Sequence, residues 1–421
     1  MHGGAMDTAP VSPTRTRARA AWAVPAAAVV AVAAAFAAPP LLASARSASL
    51  PLLTAEELLE RVLDAEPPAL SGTVVHTARL GLPDLSLTQV AGADPVSLLG
   101  GSTTLRVWSD GGQRSRVSLL GTASEYSVVT DGAQAWTYSS SDDEVVHYAP
   151  SPQDAQRVEE LAQASPPADL PTPDELGRDA LERAREHATV GVDAATTVAG
   201  RDAYQVVVTP RSDTTLVGRV VVAVDAATWS PLRVQVWSSD DAATPALELG
   251  FTDVTFADPG DAVLTFSAPP GASVREVVVP LPTEEDLAER ATDASWPTDA
   301  DDAELPEGVQ VTGEGWDTVL ELSGVDAAAL VAGDPAAVAG MPGVDKQFAG
   351  EGAQGLYEQF APEGDGPPMD LDTASLYDQL TTPVEGGRAL TSSLLSVLVL
   401  DDGRVLVGSV PVDVLRATAD A

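Results

Sequence analysis

A chain of 421 residues, 44% of them hydrophobic, is long enough for two or three domains and apolar enough to bury a core, which excludes wholesale disorder. Acids outnumber bases 62 to 23 and the net charge is −39, so phosphates are repelled and no nucleic acid partner is expected. Cysteine and asparagine are both absent, excluding disulfides, thiolate zinc sites, thiol nucleophiles, a lipid-modified cysteine and N-linked glycosylation.

Residues 1–19 read as a cytoplasmic n-region carrying Arg15, Arg17 and Arg19, and residues 20–45 then run without a charge. Two readings stand open. The segment is a signal peptide cut after Ala43-Ser44-Ala45, or an uncleaved signal anchor, since ~20 apolar residues span a bilayer. Both place the remainder outside the cytoplasm, membrane-anchored or secreted, because positive residues stay inside.

Thr54 and Glu57 form a capping box, and Leu58, Leu59, Val62 and Leu63 follow at helical spacing, so an amphipathic helix is expected over 54–65. Alternating runs then predict strands at 70–81, 103–109, 114–121, 124–130, 134–139 and 144–148. Asp110-Gly111 and Asp131-Gly132 supply hairpin turns that need positive φ. Two short helices are expected within 151–190, where Pro152 and Pro173 take first helical positions. Strands resume at 203–209, 217–224, 231–238, 246–256 and 262–267. A capped helix over 283–291, an acidic linker over 297–307, a strand over 315–323, a hairpin of 389–400 with 404–410 and a short C-terminal helix complete the chain.

The segments TDGAQAWTYSSSDDEVVHY (130–148), VVVTPRSD (206–213), VDAATWSPLRVQVWSSDD (224–241), LGFTDVTF (249–256) and FSAPPGA (266–272) resemble, in that order, the LolA-like lipoprotein-carrier superfamily. That superfamily takes in mycobacterial lipid-binding lipoproteins and the periplasmic regulator of the sigma-E response, and the chain also resembles exported or membrane-anchored actinobacterial members that carry a C-terminal extension. The resemblance covers about residues 51–280. It implies an α+β fold: a strongly curved antiparallel β half-barrel with a helical lid, here with a smaller C-terminal α+β extension. The domain division expected is 51–280 for the half-barrel, 281–307 for a helix and acidic linker, and 308–421 for the extension.

Same-face pairs supply the expected lining of an apolar cavity: Tyr126 with Val128, Trp136 with Tyr138, Val206 with Val208, then Leu232, Val234 and Val236, and Leu247, Leu249 and Phe251, beneath Leu58, Leu59, Val62 and Leu63. Packing alone would require much the same residues. The resemblance implies lipid or lipoprotein acyl chains as ligand. No catalytic residue, metal or cofactor is expected, because no GxSxG, HExxH, P-loop or EF-hand loop occurs. The acidic run 299–304 lacks the glycine of a calcium loop, and the GxGxxG of 350–355 follows no buried strand. Two functions compete: an exported, membrane-tethered lipid or lipoprotein carrier, and an envelope sensor that binds a lipid or protein and signals to a membrane protein partner.

Overall fold

The computed structural model of the protein describes residues 50–82, 93, 95–151, 154, 185–279, 308–327, 329 and 373–420. The leader, nearly all of the expected helices of 151–190, the helix and linker of 281–307, and the motif at 350–355 lie outside the described residues.

The capping box forms as expected. Thr54 Oγ1 accepts from the Glu57 amide at 3.2 Å and the Thr54 amide donates to the Glu57 carboxylate at 2.8 Å, starting helix α1 (Ala55–Leu63). Strands β1 (Leu70–Ala78), β2 (Gly101–Ser109), β3 (Arg114–Leu120), β4 (Glu125–Asp131), β5 (Gln134–Ser139) and β6 (Glu144–Pro150) form an antiparallel meander. A second meander comprises β7 (Ala188–Val198), β8 (Arg201–Pro210), β9 (Val217–Asp225), β10 (Pro231–Ser238) and β11 (Leu247–Thr255). β1 pairs with β11 and fuses the meanders into one sheet. The chain then crosses through the short helix α2 (Asp261–Leu264) and enters β12 (Ser273–Val279), which lies parallel to β6. The order is β12-β6-β5-β4-β3-β2-β1-β11-β10-β9-β8-β7.

Irregularities in the ladder explain the curvature. Register shifts interrupt β1 against β11, β7 against β8, and β9 against β10 at two places. Each bulge adds twist and bends its strand. As a result β7 comes back against β11, four places away in the sheet. Side-chain chemistry sets the turns. Asp110 accepts from the amides of Gly112 and Arg114 at 2.7 and 3.1 Å. Gly111, at φ 79°, lies where a Cβ would come within 2.4 Å of the Pro67 carbonyl, so the β2–β3 turn can seat the α1–β1 linker only with glycine.

A smaller sheet follows: β13 (Val309–Thr312), β14 (Val319–Leu322), β15 (Thr382–Val384), β16 (Gly387–Thr391), β17 (Ser396–Leu400) and β18 (Val405–Gly408), in the order β13-β14-β18-β17-β16-β15. Helix α3 (Thr373–Leu380) precedes β15, and α4 (Val412–Ala419) buries Leu415 on Leu398, Leu406 and Val410.

Several expectations need correction. The strand expected at 262–267 is α2 followed by extended chain, with Leu264 fully buried against the sheet. The single strand expected over 389–400 is two, β16 and β17. Ser392 turns the chain between them by accepting from the Leu394 and Leu395 amides at 3.3 and 3.0 Å. The strand expected at 315–323 opens as a 3-10 turn over Gly315–Asp317. The helical reading of 151–190 ends early, because Ala188 already pairs with Pro210 in β7.

The β9–β10 hairpin is built on one carboxylate. Asp225, 1% exposed, accepts from the amides of Ala227 and Thr228 at 2.9 and 2.7 Å, from Thr228 Oγ1 at 3.0 Å, and from Arg201 Nε and Nη2 at 2.5 and 2.9 Å. Burial pushes this carboxyl up, but the Arg201 guanidinium and the turn amides outweigh it and hold it below the usual carboxylate range. Asp225→Ala leaves Arg201 and the turn donors unpaired, with an expected loss of about 2–4 kcal/mol in urea unfolding at neutral pH. The contribution is fully present above the unfolded pKa of ~3.9 and lost as pH falls through the depressed folded value, so wild type and variant should converge in acid.

Candidate functional site

Register decides which side chains share a face. Four cross-strand rows run over one face of the large sheet. The first is Val190, Val208, Val220, Val236, Leu247 and Ala78; the second is Val192, Val206, Val222, Val234, Leu249 and His76. The third is Phe251, Val74, Leu105, Leu119 and Tyr126, and the fourth Val107, Val117, Val128, Thr137 and Val146. Alternation puts every second residue of each strand here, and the sequence makes nearly all of them aliphatic.

The face is covered unevenly. Val74, Leu105, Leu119, Leu232, Val234, Leu249 and Phe251 are buried in the main core, whereas Val117, Tyr126, Val208, Val222 and Val236 are half-buried and packed against it. α1 sits on the β8–β9 end in a cluster of its own, with Leu58 fully buried among Tyr204, Val224, Val206 and Val192, and Val62 beside it. Leu59 and Leu63 are half-buried. Tyr204 Oη donates to the Pro51 carbonyl at 3.2 Å, Arg61 lies over the Trp229 ring at 4.8 Å, and Arg185 donates to the Glu56 carboxylate.

The expected lining residues divide. Tyr126, Val128, Val206, Val208, Val234, Val236, Leu247, Leu249 and Phe251 share the face, and Leu232 and Leu58 meet it through packing. Trp136 and Tyr138 do not. Val128 pairs with Thr137 and Val129 with Trp136, so both aromatics point to the opposite face. There Trp136 stacks on His147 at 4.8 Å and on Phe266 of the crossover at 5.7 Å.

Spacing on single strands also missed the contribution of the smaller sheet. Trp316, 6% exposed, and Leu394 join the core cluster of the large sheet. The junction is hydrogen-bonded: the Leu216 amide and Thr215 Oγ1 donate to the Ser409 carbonyl at 2.7 and 2.9 Å, and Ser212 and Thr214 hydroxyls donate to Asp317 at 2.6 and 2.8 Å. Gly315, at φ 59°, packs so closely on His187 that a Cβ would lie 2.4 Å from its ring. Nothing in the local pattern around Trp316 signalled this role; its one cue is a large apolar ring in an otherwise acidic, glycine-rich stretch.

Polar chemistry at the face is sparse. His76 is 6% exposed and its Nδ1 has no hydrogen-bond partner. His147 is occupied by Glu276 at 2.6 Å and Gln134 at 2.9 Å. A cleft of about 270 Å³ lies elsewhere, lined by Leu50, Gly200, Arg201, Asp202 and Asp225 among others, and its Arg201 and Asp225 are already paired with each other. Among the described residues no group of three or more His, Asp or Glu side chains could hold a metal ion, and no helix is long and apolar enough to cross a membrane.

These features define an α+β protein built on one long, curved, mainly antiparallel sheet with an apolar face and a second small sheet docked to it. No protein-family model and no curated protein matches the chain. Among solved structures it is similar to a chain of the MucA/MucB complex of Pseudomonas aeruginosa, at 16% identity and TM-score 0.39 over 87% of this chain and 96% of that one. It is also similar to a LolA superfamily protein of Nitrosomonas europaea, at 13% identity and TM-score 0.21 over 51% of this chain and 99% of that one. A DUF1329 family protein of Desulfovibrio piger gives 13% identity and TM-score 0.21 over 50% and 98%. These are loose likenesses; the chemistry below rests on the face itself.

Burial holds the His76 imidazole below its ordinary pKa, so it is neutral in the fold. As pH falls below about 6.5 the unfolded chain takes up this proton first, and stability is lost toward acid. His76→Leu should flatten that loss between about pH 7 and pH 5 in thermal melts. An unchanged slope would show that His76 is solvated.

Proposed function

We propose that the protein is an exported lipid- or lipoprotein-binding protein, held at the membrane by residues 20–45 or released by cleavage near Ala45. In this reading residues 51–280 form the binding domain, 281–307 a linker and 308–421 an α+β extension. The observation that carries it is the run of half-buried aliphatic side chains, Val117, Val208, Val222 and Val236 with Tyr126, along the cross-strand rows of one sheet face. Bare apolar surface is worth ~25 cal/mol per Å² once covered, and an acyl chain gains ~0.8 kcal/mol per buried methylene. The face offers no charge to a ligand, so recognition is by hydrocarbon area and not by chemistry. α1 acts as the cover at the β8–β9 end.

Organic extraction of the purified full-length protein followed by lipid mass spectrometry tests this, and acyl lipid at near-stoichiometric yield is expected. Val208→Trp with Val236→Trp fills the face and should lower the bound lipid about tenfold, at a cost of about 1–3 kcal/mol in stability that leaves the protein folded by circular dichroism. A wild-type protein free of lipid overturns the reading.

A second reading, a sensor that relays ligand binding to a membrane protein partner, is favoured by Trp316. This side chain belongs to the small sheet's segment yet packs in the core of the large one. If loading is relayed, Trp316 should report it. Acyl ligand should shift the tryptophan emission of wild type more than that of Trp316→Phe, in which Trp229 beside α1 still responds, whereas equal shifts in both proteins would remove the relay.

A further inference from the structure

The face opposite the apolar rows carries its own pattern. Counting across the ladders, Trp108, Arg106 and Thr104 of β2 share it with Arg116 of β3, Val75 of β1, Glu248 and Gly250 of β11, Arg233 and Trp237 of β10, and Arg219 of β9. The crossover and α2 cover the β2–β4 end, through Leu264 and the Arg114–Asp261 ion pair at 2.8 Å. Arg106 remains exposed and Arg219 and Arg233 half-exposed.

The arginines of this face lack close carboxylate partners. With 62 acids available, Arg106, Arg219 and Arg233 make no ion pair among the described residues, and Arg116 has only a 3.7 Å contact with Glu125. Of the other carboxylates on this face, Glu248 accepts from Gln235 at 2.9 Å, and Asp253 stands across Thr73 from Arg106 without pairing with it. Two guanidinium groups lie over indoles, Arg219 at 4.1 Å from Trp237 and Arg106 at 4.8 Å from Trp108. The Arg219 Nε, Arg116 Nε and Trp237 Nε1 atoms are buried without a hydrogen-bond partner. A Cβ on Gly250 would meet the Arg233 stem at 3.0 Å, so glycine lets that arginine lie along the sheet. Stacking fixes the plane of a guanidinium and leaves its edge donors free for an oxyanion.

Arg106 and Arg233 stand three strands apart, about 14 Å across the sheet, and Arg219 lies about 13 Å further along from Arg233. We propose that this face docks an acidic, extended peptide segment of a partner protein, its carboxylates pairing with Arg106, Arg219 and Arg233 and its apolar positions resting on Trp108, Trp237 and Val75. Charge complementarity selects this occupant over an anionic bilayer. A bilayer presents its charge to the whole molecule, which carries −39, whereas a narrow segment meets only the patch within a Debye length of about 8 Å.

The test is fluorescence anisotropy of a labelled Glu-Ser repeat peptide against the full-length protein at low salt. Binding is expected to weaken about tenfold or more in R106Q/R219Q/R233Q, to weaken with added salt, and to recover in part in R106K/R219K/R233K, with all three proteins melting alike. No binding of the peptide to wild type, equal binding to the glutamine variant, or binding to phosphatidylglycerol vesicles in place of the peptide would each overturn the proposal. A protein lacking bound lipid would leave this face, and this experiment, unaffected.

Discussion

The pairing of β1 with β11 is the joint on which the molecule depends. Each meander alone is a run of hairpins whose neighbours in space are neighbours in sequence. β1 and β11 are separated by most of the domain, yet they exchange partners from Ser71–Thr255 to Ala78–Leu247. Once that ladder forms, the rows of the two meanders align into one surface, and Val74, Leu105, Leu249 and Phe251 enter one core. The bulge between Thr73 and Val74 then bends the joint itself. Closing so long a loop is entropically slow, so folding should be limited here and not in the hairpins.

The hairpins were legible because their turns announce themselves. Asp-Gly pairs, the Asp225 carboxylate and strict alternation place β2 to β6 and β8 to β11 within two or three residues of expectation. β12 was not legible. Ser273–Val279 carries Arg275 and Glu276 inside an aliphatic run, which gives no period, and its parallel partner β6 is remote in sequence. β7 was hidden by the helical punctuation before it, since its β-branched residues alternate only once β8 is in place to pair with them.

The candidate face was legible strand by strand but not across strands. Tyr126 with Val128 and Trp136 with Tyr138 are each correct as pairs. The two-residue turn at Gly132 sets Asp131 opposite Gln134, so an even-numbered residue of β4 always faces an odd-numbered one of β5. Turn length therefore places the aromatic pair on the far side, and the face is more purely aliphatic than the strands taken singly suggest. The contribution of Trp316 could not be read at all, since a contact between two sheets leaves no periodicity in either.

That aliphatic character bears on which ligands could open the site. α1 is fastened where it sits: burying Leu58 is worth about 2–3 kcal/mol, the Tyr204–Pro51 hydrogen bond about 1, and the Arg61–Trp229 contact about 0.5–1. A ligand that displaces the helix must offset some 4 kcal/mol, about five methylenes at ~0.8 kcal/mol each. Small apolar solutes fall at or below that threshold, and a long acyl chain exceeds it severalfold. In the lipid-binding reading, a wall without polar anchors whose β8–β9 end is closed by a modest latch would discriminate by length: hydrocarbon must be long enough to move α1 before that end of the face becomes available to it.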